Sequence, residues 1–141
     1  MVGIKESNGN LNRFSLMMDR FGRKANVIGA AELVMLQKML VGTPGFLSPS
    51  PNIFPRLIKN MFGAVQGGEI KEAKALFKKF WRYRMLSAKK LEQGYPVYLS
   101  YTKAAMEIAG LPGGDPRRPY LPLSRTEYKE LKTLMKREKL I

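Results

Sequence analysis

The stretch VGIKESNGN, residues 2–10, introduces the pattern that the first half of the chain repeats. Val2, Gly3 and Ile4 are typical of a buried parallel strand, and the polar loop that follows is rich in turn-forming residues. Lys5 interrupts the apolar run. Because a fully buried lysine is rare unless it is paired or used in chemistry, the stretch raises the question of why a strand of this kind carries an amine.

Two further strand–helix pairs follow the first one. Short glycine-rich connections separate them, and this alternation predicts a parallel sheet covered by helices. After the first strand, a helix is predicted over residues 11–21, with Asn10 as its N-cap, and a strand over 25–28 that Gly29 ends. A helix over 31–41 and a strand over 45–48 follow. The last helix of this half is capped by Asn52, has Pro55 in its first turn and ends near residues 67–68.

The second half of the chain is predicted to be helical throughout. A long helix is expected over residues 69–92 and another over 98–109. The proline- and glycine-rich loop 110–124 then leads into a last helix. Ser124 and Glu127 form the capping-box pattern at the start of that helix.

The predicted fold class is α/β, a partial (β/α)8 TIM barrel followed by a helical region. Three parallel strands alone leave unpaired edges, and a complete barrel takes about 250 residues. The chain has 141 residues. We therefore expect the last three β/α units of a barrel over residues 1–67 and a C-terminal helical extension over residues 68–141.

The composition excludes several classes of function. The chain contains neither cysteine nor histidine, which excludes disulfides and thiolate metal sites and makes histidine-based hydrolysis and zinc chemistry poor candidates. No apolar stretch is long enough to cross a bilayer, and no signal peptide opens the chain. A cytoplasmic protein without a membrane partner is expected.

The formal charge of +14 has two interpretations. A basic protein can bind nucleic acid or an anionic membrane surface, or its positive residues can form solvated helix faces. Lys71, Lys74, Lys78 and Arg82 lie opposite the apolar stripe of the long predicted helix. We interpret the charge as a solvated face, and no nucleic-acid partner is expected.

The pattern offers three candidate site features, two single residues and one loop, and leaves each one open. Lys5 is either a desolvated amine that attacks a carbonyl or an ordinary exposed lysine, which is the commoner case. Gly29 is either a backbone anion contact or simply a turn residue, again the commoner case. In the stiff LSPSPN loop, Ser48 and Ser50 are candidates for lining a pocket, on a weak signal.

The order of the motifs resembles the dihydrodipicolinate synthase/N-acetylneuraminate lyase family of class I Schiff-base aldolases. GIKESNGNLNR, residues 3–13, is similar to the sixth strand and loop of that family, where a Gly-Ile-Lys-Glu/Asp run carries the Schiff-base lysine. Gly29 matches the glycine that ends its seventh strand. The other similar segments are GFLSPSPNIFP at 45–55, GAVQGGEIKEAKALFKKF at 63–80 and RRPYLPLSRTEYKEL at 117–131.

The resemblance implies a lyase or aldolase in which Lys5 forms a Schiff base with pyruvate or a related 2-oxo acid. The enamine that follows adds to, or is released from, an aldehyde. Leu47 matches the position whose backbone carbonyl lies near the substrate in the family. Gly29 matches the position where the backbone helps to form the end of the site that binds the aldehyde acceptor. Ser48 completes the predicted substrate-binding set, and no cofactor or metal is expected.

Two departures point away from the lysine-pathway enzyme and towards a sugar-acid aldolase, dehydratase or hydratase-aldolase relative. Ala30 and Ala31 stand where dihydrodipicolinate synthases usually have acidic residues. Their Asn-Pro-x-Pro-Val-Lys run is replaced by GYPVYLSYTK, residues 94–103.

The largest departure is the absence of the family's Gly-Thr-Thr segment and its proton-relay tyrosine before Lys5. The chain alone is therefore expected to be a catalytically incomplete enzyme fragment, joined by a complementing N-terminal half or assembled as a homo-oligomer. The alternative is a non-catalytic interaction or assembly module derived from such a barrel, in which Lys5 is a remnant.

Overall fold

The computed structural model describes residues 2–92 and 98–141, so part of the GYPVYLSYTK segment, residues 94–97, lies outside the described residues. Short strands and helices alternate first, and helices alone follow. In chain order the elements are β1 (Gly3–Glu6), α1 (Leu11–Phe21), β2 (Asn26–Gly29), a 3₁₀ turn (Glu32–Val34), α2 (Met35–Leu40), α3 (Ser50–Ile53), α4 (Pro55–Gln66), α5 (Ile70–Glu92), α6 (Tyr98–Ile108) and α7 (Arg125–Arg137).

The two strands pair in parallel, as the alternation of strands and helices predicts. The register places Lys5 beside Ile28 and Glu6 beside Gly29. The prediction of a third strand over 45–48 was wrong in extent, because only Phe46 forms a bridge, parallel to Gly29. The pairing stops there because β2 ends at Gly29 and the chain turns away through Ala31, whose φ of 65° is left-handed.

The sheet has one covered face and one open face. Side chains alternate along a strand, so the register places Val27 and Glu6, both buried, on the face covered by helices. Lys5, which is exposed, lies on the opposite face beside Ile28. The predicted burial of Val2 was wrong, because its side chain is 85% exposed and, within the described residues, β1 pairs only with β2.

Four predicted helices are confirmed, and the ends that were predicted for them agree with the structure to within one residue. In α1 the side chain of Asn10 accepts a hydrogen bond from the Arg13 amide at 3.0 Å, as expected of an N-cap. Helices α5 and α6 begin and end close to the predicted residues. The capping box of α7 is complete, with Ser124 and Glu127 bonded in both directions.

The second and third predicted helices needed correction. Residues 31–41 begin with a 3₁₀ turn, and α2 proper starts only at Met35, because the left-handed Ala31 cannot open a regular helix. Asn52 lies inside α3 and is not the N-cap of a longer helix. Phe54 separates α3 from α4 at φ −124° and ψ 56°, since a residue that precedes a proline avoids the helical region.

The chain divides into two units. The first comprises Met1–Ser48 and Asn60–Phe77 and contains the sheet. Its core includes Phe14 from α1, Val27 from β2, and a cluster in which Leu36, Ala64 and Ala73 are buried.

The second unit comprises Pro49–Lys59 and Lys78–Ile141, and the regular secondary structure of its described residues is helical. Phe54 and Tyr83 meet edge to face with ring centroids 5.0 Å apart. Glu138 is buried and lies 2.6 Å from Nη1 of Arg82. That hydrogen bond is the largest influence on the Glu138 carboxyl, and with Arg137 it holds its pKa below the usual value against the effect of burial. None of the helices in the described ranges has the length and apolar character that a bilayer crossing requires.

Candidate functional site

The carboxyl ends of three neighbouring parallel segments meet at one edge of the first unit. β1 ends at Glu6, β2 ends at Gly29, and the third segment bridges β2 at Phe46. Backbone hydrogen bonds join these ends, because the Ala30 amide donates to the Glu6 carbonyl at 2.9 Å and the Leu47 amide donates to the Gly29 carbonyl at 2.9 Å. Three of the predicted site residues, Lys5, Gly29 and Leu47, are thus carried on adjoining segment ends.

Lys5 lies on the face of the sheet opposite the helices. Its strand neighbour Ile28 is half-buried, and its side chain is exposed to solvent. An amine placed in this way is accessible to a small carbonyl compound that approaches the open face. Lys5 thus lies one residue before the end of β1, with its side chain accessible from the open face.

Gly29 is needed for a close approach between β2 and the third segment. A Cβ atom at this position would lie 2.9 Å from Cδ2 of Phe46 and 3.5 Å from Cβ of Lys38. The Gly29 amide donates to Oγ1 of Thr43 at 2.9 Å and to the Gly45 carbonyl at 3.0 Å. Because this amide and that of Ala30 are both engaged within the chain, they do not form an open cradle for an anion.

The turn after Gly29 has an unusual backbone conformation. Ala31 adopts φ 65° and ψ 86°, a left-handed conformation that costs a residue with a Cβ atom about 1–2 kcal/mol. Ala30 before it and Glu32 after it are both buried. Small side chains therefore occupy the two positions where the family resemblance leads us to expect acidic residues. The first carboxylate after Gly29 is that of Glu32, and it is buried.

Leu47 and Ser48 follow the bridge. Leu47 is 55% exposed, although it is apolar. Ser48 is half-buried, and its hydroxyl oxygen is buried without a hydrogen-bond partner among the described residues. Ser50, the other predicted pocket residue, is buried as the first residue of α3. The assignment of Leu47 and Ser48 to substrate binding stays a prediction.

Lys38 of α2, a residue that the sequence-based prediction missed, is fully buried. Its ammonium donates to Oε2 of Glu6 at 2.6 Å, to the Glu6 carbonyl at 3.2 Å and to the Asn8 carbonyl at 2.8 Å. All three N–H donors are therefore used. The sequence contained a signal for the burial of Lys38 but not for its partner, because Lys38 follows the buried Met35 by three residues and so lies on the same face of the helix.

A second polar residue, Thr43, was also missed. Its hydroxyl oxygen accepts from the Gly29 amide and lies 2.9 Å from the Val27 carbonyl and 2.6 Å from the Gly45 carbonyl. One buried hydroxyl thus links β2 to the segment that carries Leu47. Across residues 2–92 and 98–141, no group of three acidic side chains comes together in a way that could hold a metal ion.

Comparisons with known proteins agree on one family. The sequence model of the dihydrodipicolinate synthetase family matches residues 1–138. A 4-hydroxy-tetrahydrodipicolinate synthase from Geobacter sp. (strain M21) is 29% identical over 141 residues, which cover 100% of this chain and 47% of the relative. The chain thus spans about half the length of the curated relatives that it matches.

Solved structures give the same result. The crystal structure of dihydrodipicolinate synthase from Oceanobacillus iheyensis superimposes with a TM-score of 0.81 at 28% identity, over 100% of this chain and 47% of that one. N-acetylneuraminate lyase from Proteus mirabilis has the same fold, with a TM-score of 0.82 at 16% identity, over 99% of this chain and 45% of that one.

Proposed function

The chain belongs to the dihydrodipicolinate synthetase family, and we propose from this that it carries the nucleophile of a class I lyase, Lys5, which forms a Schiff base with pyruvate or a related 2-oxo acid. The observation that carries the proposal is the position of Lys5. It lies one residue before the carboxyl end of a parallel strand, with its side chain exposed on the face opposite the helices. In α/β barrels the reacting side chains gather at that end of the strands.

The proposed chemistry begins with the amine of Lys5. The nitrogen attacks the ketone carbon of the 2-oxo acid, and loss of one water molecule leaves a positively charged imine. The loss of a proton from the neighbouring carbon converts the imine into an enamine, whose carbon adds to an aldehyde. Water then cleaves the carbon–nitrogen bond, which releases the product and restores the lysine. The same steps in reverse release an aldehyde.

Substrate contacts are proposed for three further residues. The Leu47 backbone carbonyl is proposed to contact the 2-oxo acid. The turn after Gly29 is proposed to contact the aldehyde acceptor. Hydrogen bonds that hold these two segments together support a shared site. Ser48 is assigned to the substrate as well, supported by a hydroxyl oxygen that has no partner within the described ranges. The small side chains of Ala30 and Ala31 favour an acceptor larger or less basic than one held by acidic residues.

The chain alone is proposed to be incomplete as a catalyst. The resemblance assigns carboxylate binding to a Gly-Thr-Thr segment and proton relay to a tyrosine, and neither precedes Lys5 in this chain. Residues 1–67 would then supply three units of the barrel and residues 68–141 its helical extension. A complementing N-terminal half would supply the Gly-Thr-Thr segment and the tyrosine, whereas a second copy of the chain could only cover the strand edges. Sustained consumption of pyruvate and an aldehyde by the chain alone would contradict this part.

The proposal is tested by reductive trapping of the full chain with pyruvate and cyanoborohydride, read by intact mass. Wild type is expected to gain one reduced pyruvate adduct. Lys5→Arg keeps the charge but removes the primary amine, so the adduct should be lost. Lys24→Arg changes an exposed lysine of the same unit and should leave labelling unchanged. Equal labelling of wild type and Lys5→Arg would refute the assignment.

A further inference from the structure

A buried cation holds the backbone immediately after Lys5. Lys38 Nζ contacts the carboxylate of Glu6 at 2.6 Å and the carbonyls of Glu6 and Asn8 at 3.2 and 2.8 Å. The Lys38 side chain is fully buried, and the Glu6 side chain is 4% exposed. The residue after Lys5 is therefore fixed in both its backbone and its side chain by a single ammonium group from α2.

The charge of Glu6 is balanced mainly by this ammonium. Arg13 of α1 is the other cation near the carboxylate, with Nε 3.6 Å from Oε1, but its side chain is 64% exposed and solvent screens it. The Asn8 amide also donates to Oε1 at 2.9 Å. Asn26–Gly29, the strand paired with β1, has no titratable side chain. The ring of Phe14, 4.8 Å from Nζ, covers the ammonium on the α1 side.

We propose that Lys38 is a positioning residue for Lys5, which holds the end of β1 and neutralises Glu6, so that no uncompensated carboxylate acts on the reacting amine. This inference rests on the proposed function of Lys5. Consecutive strand residues point to opposite faces, so Glu6 does not contact the substrate side directly. Its charge is nevertheless only one residue away, so a part of its electrostatic effect reaches the amine of Lys5, although Lys5 is exposed and solvent screens the interaction.

The two partners have opposite expected effects on Schiff-base formation. Without Lys38, the carboxylate of Glu6 favours the protonated form of the nearby amine, and a higher pH is needed to free it. Without the charge of Glu6, the buried ammonium of Lys38 disfavours a second positive charge nearby, and a lower pH suffices. Removing both charges cancels the two effects.

The experiment measures the pH dependence of pyruvate labelling at Lys5 in the full chain, with cyanoborohydride as the reductant. Lys38→Met should raise the pH of half-maximal labelling by a fraction of a unit, and Glu6→Gln should lower it, because solvent screens the exposed amine of Lys5. The double variant Lys38→Met/Glu6→Gln should return to the wild-type midpoint. Lys24→Met, which removes an exposed charge from the same unit, should not move it.

Each outcome supports or overturns the inference. A merely structural role would lower the extent of labelling at every pH without moving the midpoint, and that result would overturn it. If Lys38→Met fails to fold by circular dichroism, Glu6→Gln and the double variant carry the test, and an unshifted midpoint in Glu6→Gln overturns the inference. Absence of labelling at Lys5 in wild type at every pH overturns the proposed function and this inference together.

Discussion

Lys38 Nζ lies 2.6 Å from Oε2 of Glu6, and both side chains are buried in the first unit. The pair joins α2 to the end of β1, directly after Lys5, the proposed nucleophile. Removal of one partner of a buried ion pair leaves an uncompensated charge in a poorly solvated place.

We therefore expect Lys38→Met to lower the free energy of unfolding by about 3–5 kcal/mol. The double variant Lys38→Met/Glu6→Gln should be more stable than Lys38→Met, because it leaves no buried charge. Urea denaturation followed by circular dichroism measures both. A double variant as unstable as the single one would show that Glu6 and Lys38 do not act as a pair.

Gly29→Ala is expected to destabilise the chain through contact with Phe46. The added Cβ atom would lie 2.9 Å from Cδ2 and 3.1 Å from Cε2 of the ring, so the ring has to move, at about 1–3 kcal/mol. Gly45→Ala is the matched control, because its Cβ atom would meet no atom within 4 Å. Equal unfolding midpoints for the two variants would contradict the close approach.

Stability should fall at acidic pH because of Glu138. Its pKa is lowered in the folded state by the hydrogen bond from Arg82, so the carboxylate stabilises the fold above the ordinary glutamate pKa. That contribution is lost as the pH falls through the lowered value. The difference in unfolding free energy between wild type and Glu138→Gln should shrink over this range. A difference that does not change with pH would refute the assignment.

Tyr101→Phe is expected to leave the second unit as stable as wild type or more stable, by about 1 kcal/mol. The side chain is fully buried, and its hydroxyl has no hydrogen-bond partner in the described part of the chain. Burial and the charges of Glu127 and Glu130 raise the pKa of Tyr101 to about 12. The variant should therefore lose one late-titrating phenol from the ultraviolet titration. Tyr120→Phe, at a half-exposed site, should keep it.

The helices with strong local signals could be predicted from the sequence. Asn10 and Ser124 are N-caps whose side chains satisfy backbone amides within three residues, so the starts of α1 and α7 follow from local chemistry alone. The break at Phe54 and the late start of α2 depend on Pro55 and on the left-handed Ala31, and the apolar pattern contains neither feature.

The structure has a buried lysine at a position that the sequence-based prediction did not indicate. The sequence raised the question of a buried lysine at Lys5, which interrupts a strand, whereas Lys38, which interrupts the apolar face of a helix, is fully buried. Its partner Glu6 lies 32 residues earlier in the chain. A pairing over that distance depends on how the helix packs against the sheet, and no local pattern contains it.

The distribution of pyruvate label among the lysines tests the central claim most directly. The full chain is reduced with cyanoborohydride in the presence of pyruvate, digested and mapped by mass spectrometry. The account predicts label concentrated on the peptide that carries Lys5, with little on that of Lys24. Label spread evenly over the exposed lysines, or absent from Lys5, would contradict the assignment of Lys5 as the Schiff-base nucleophile.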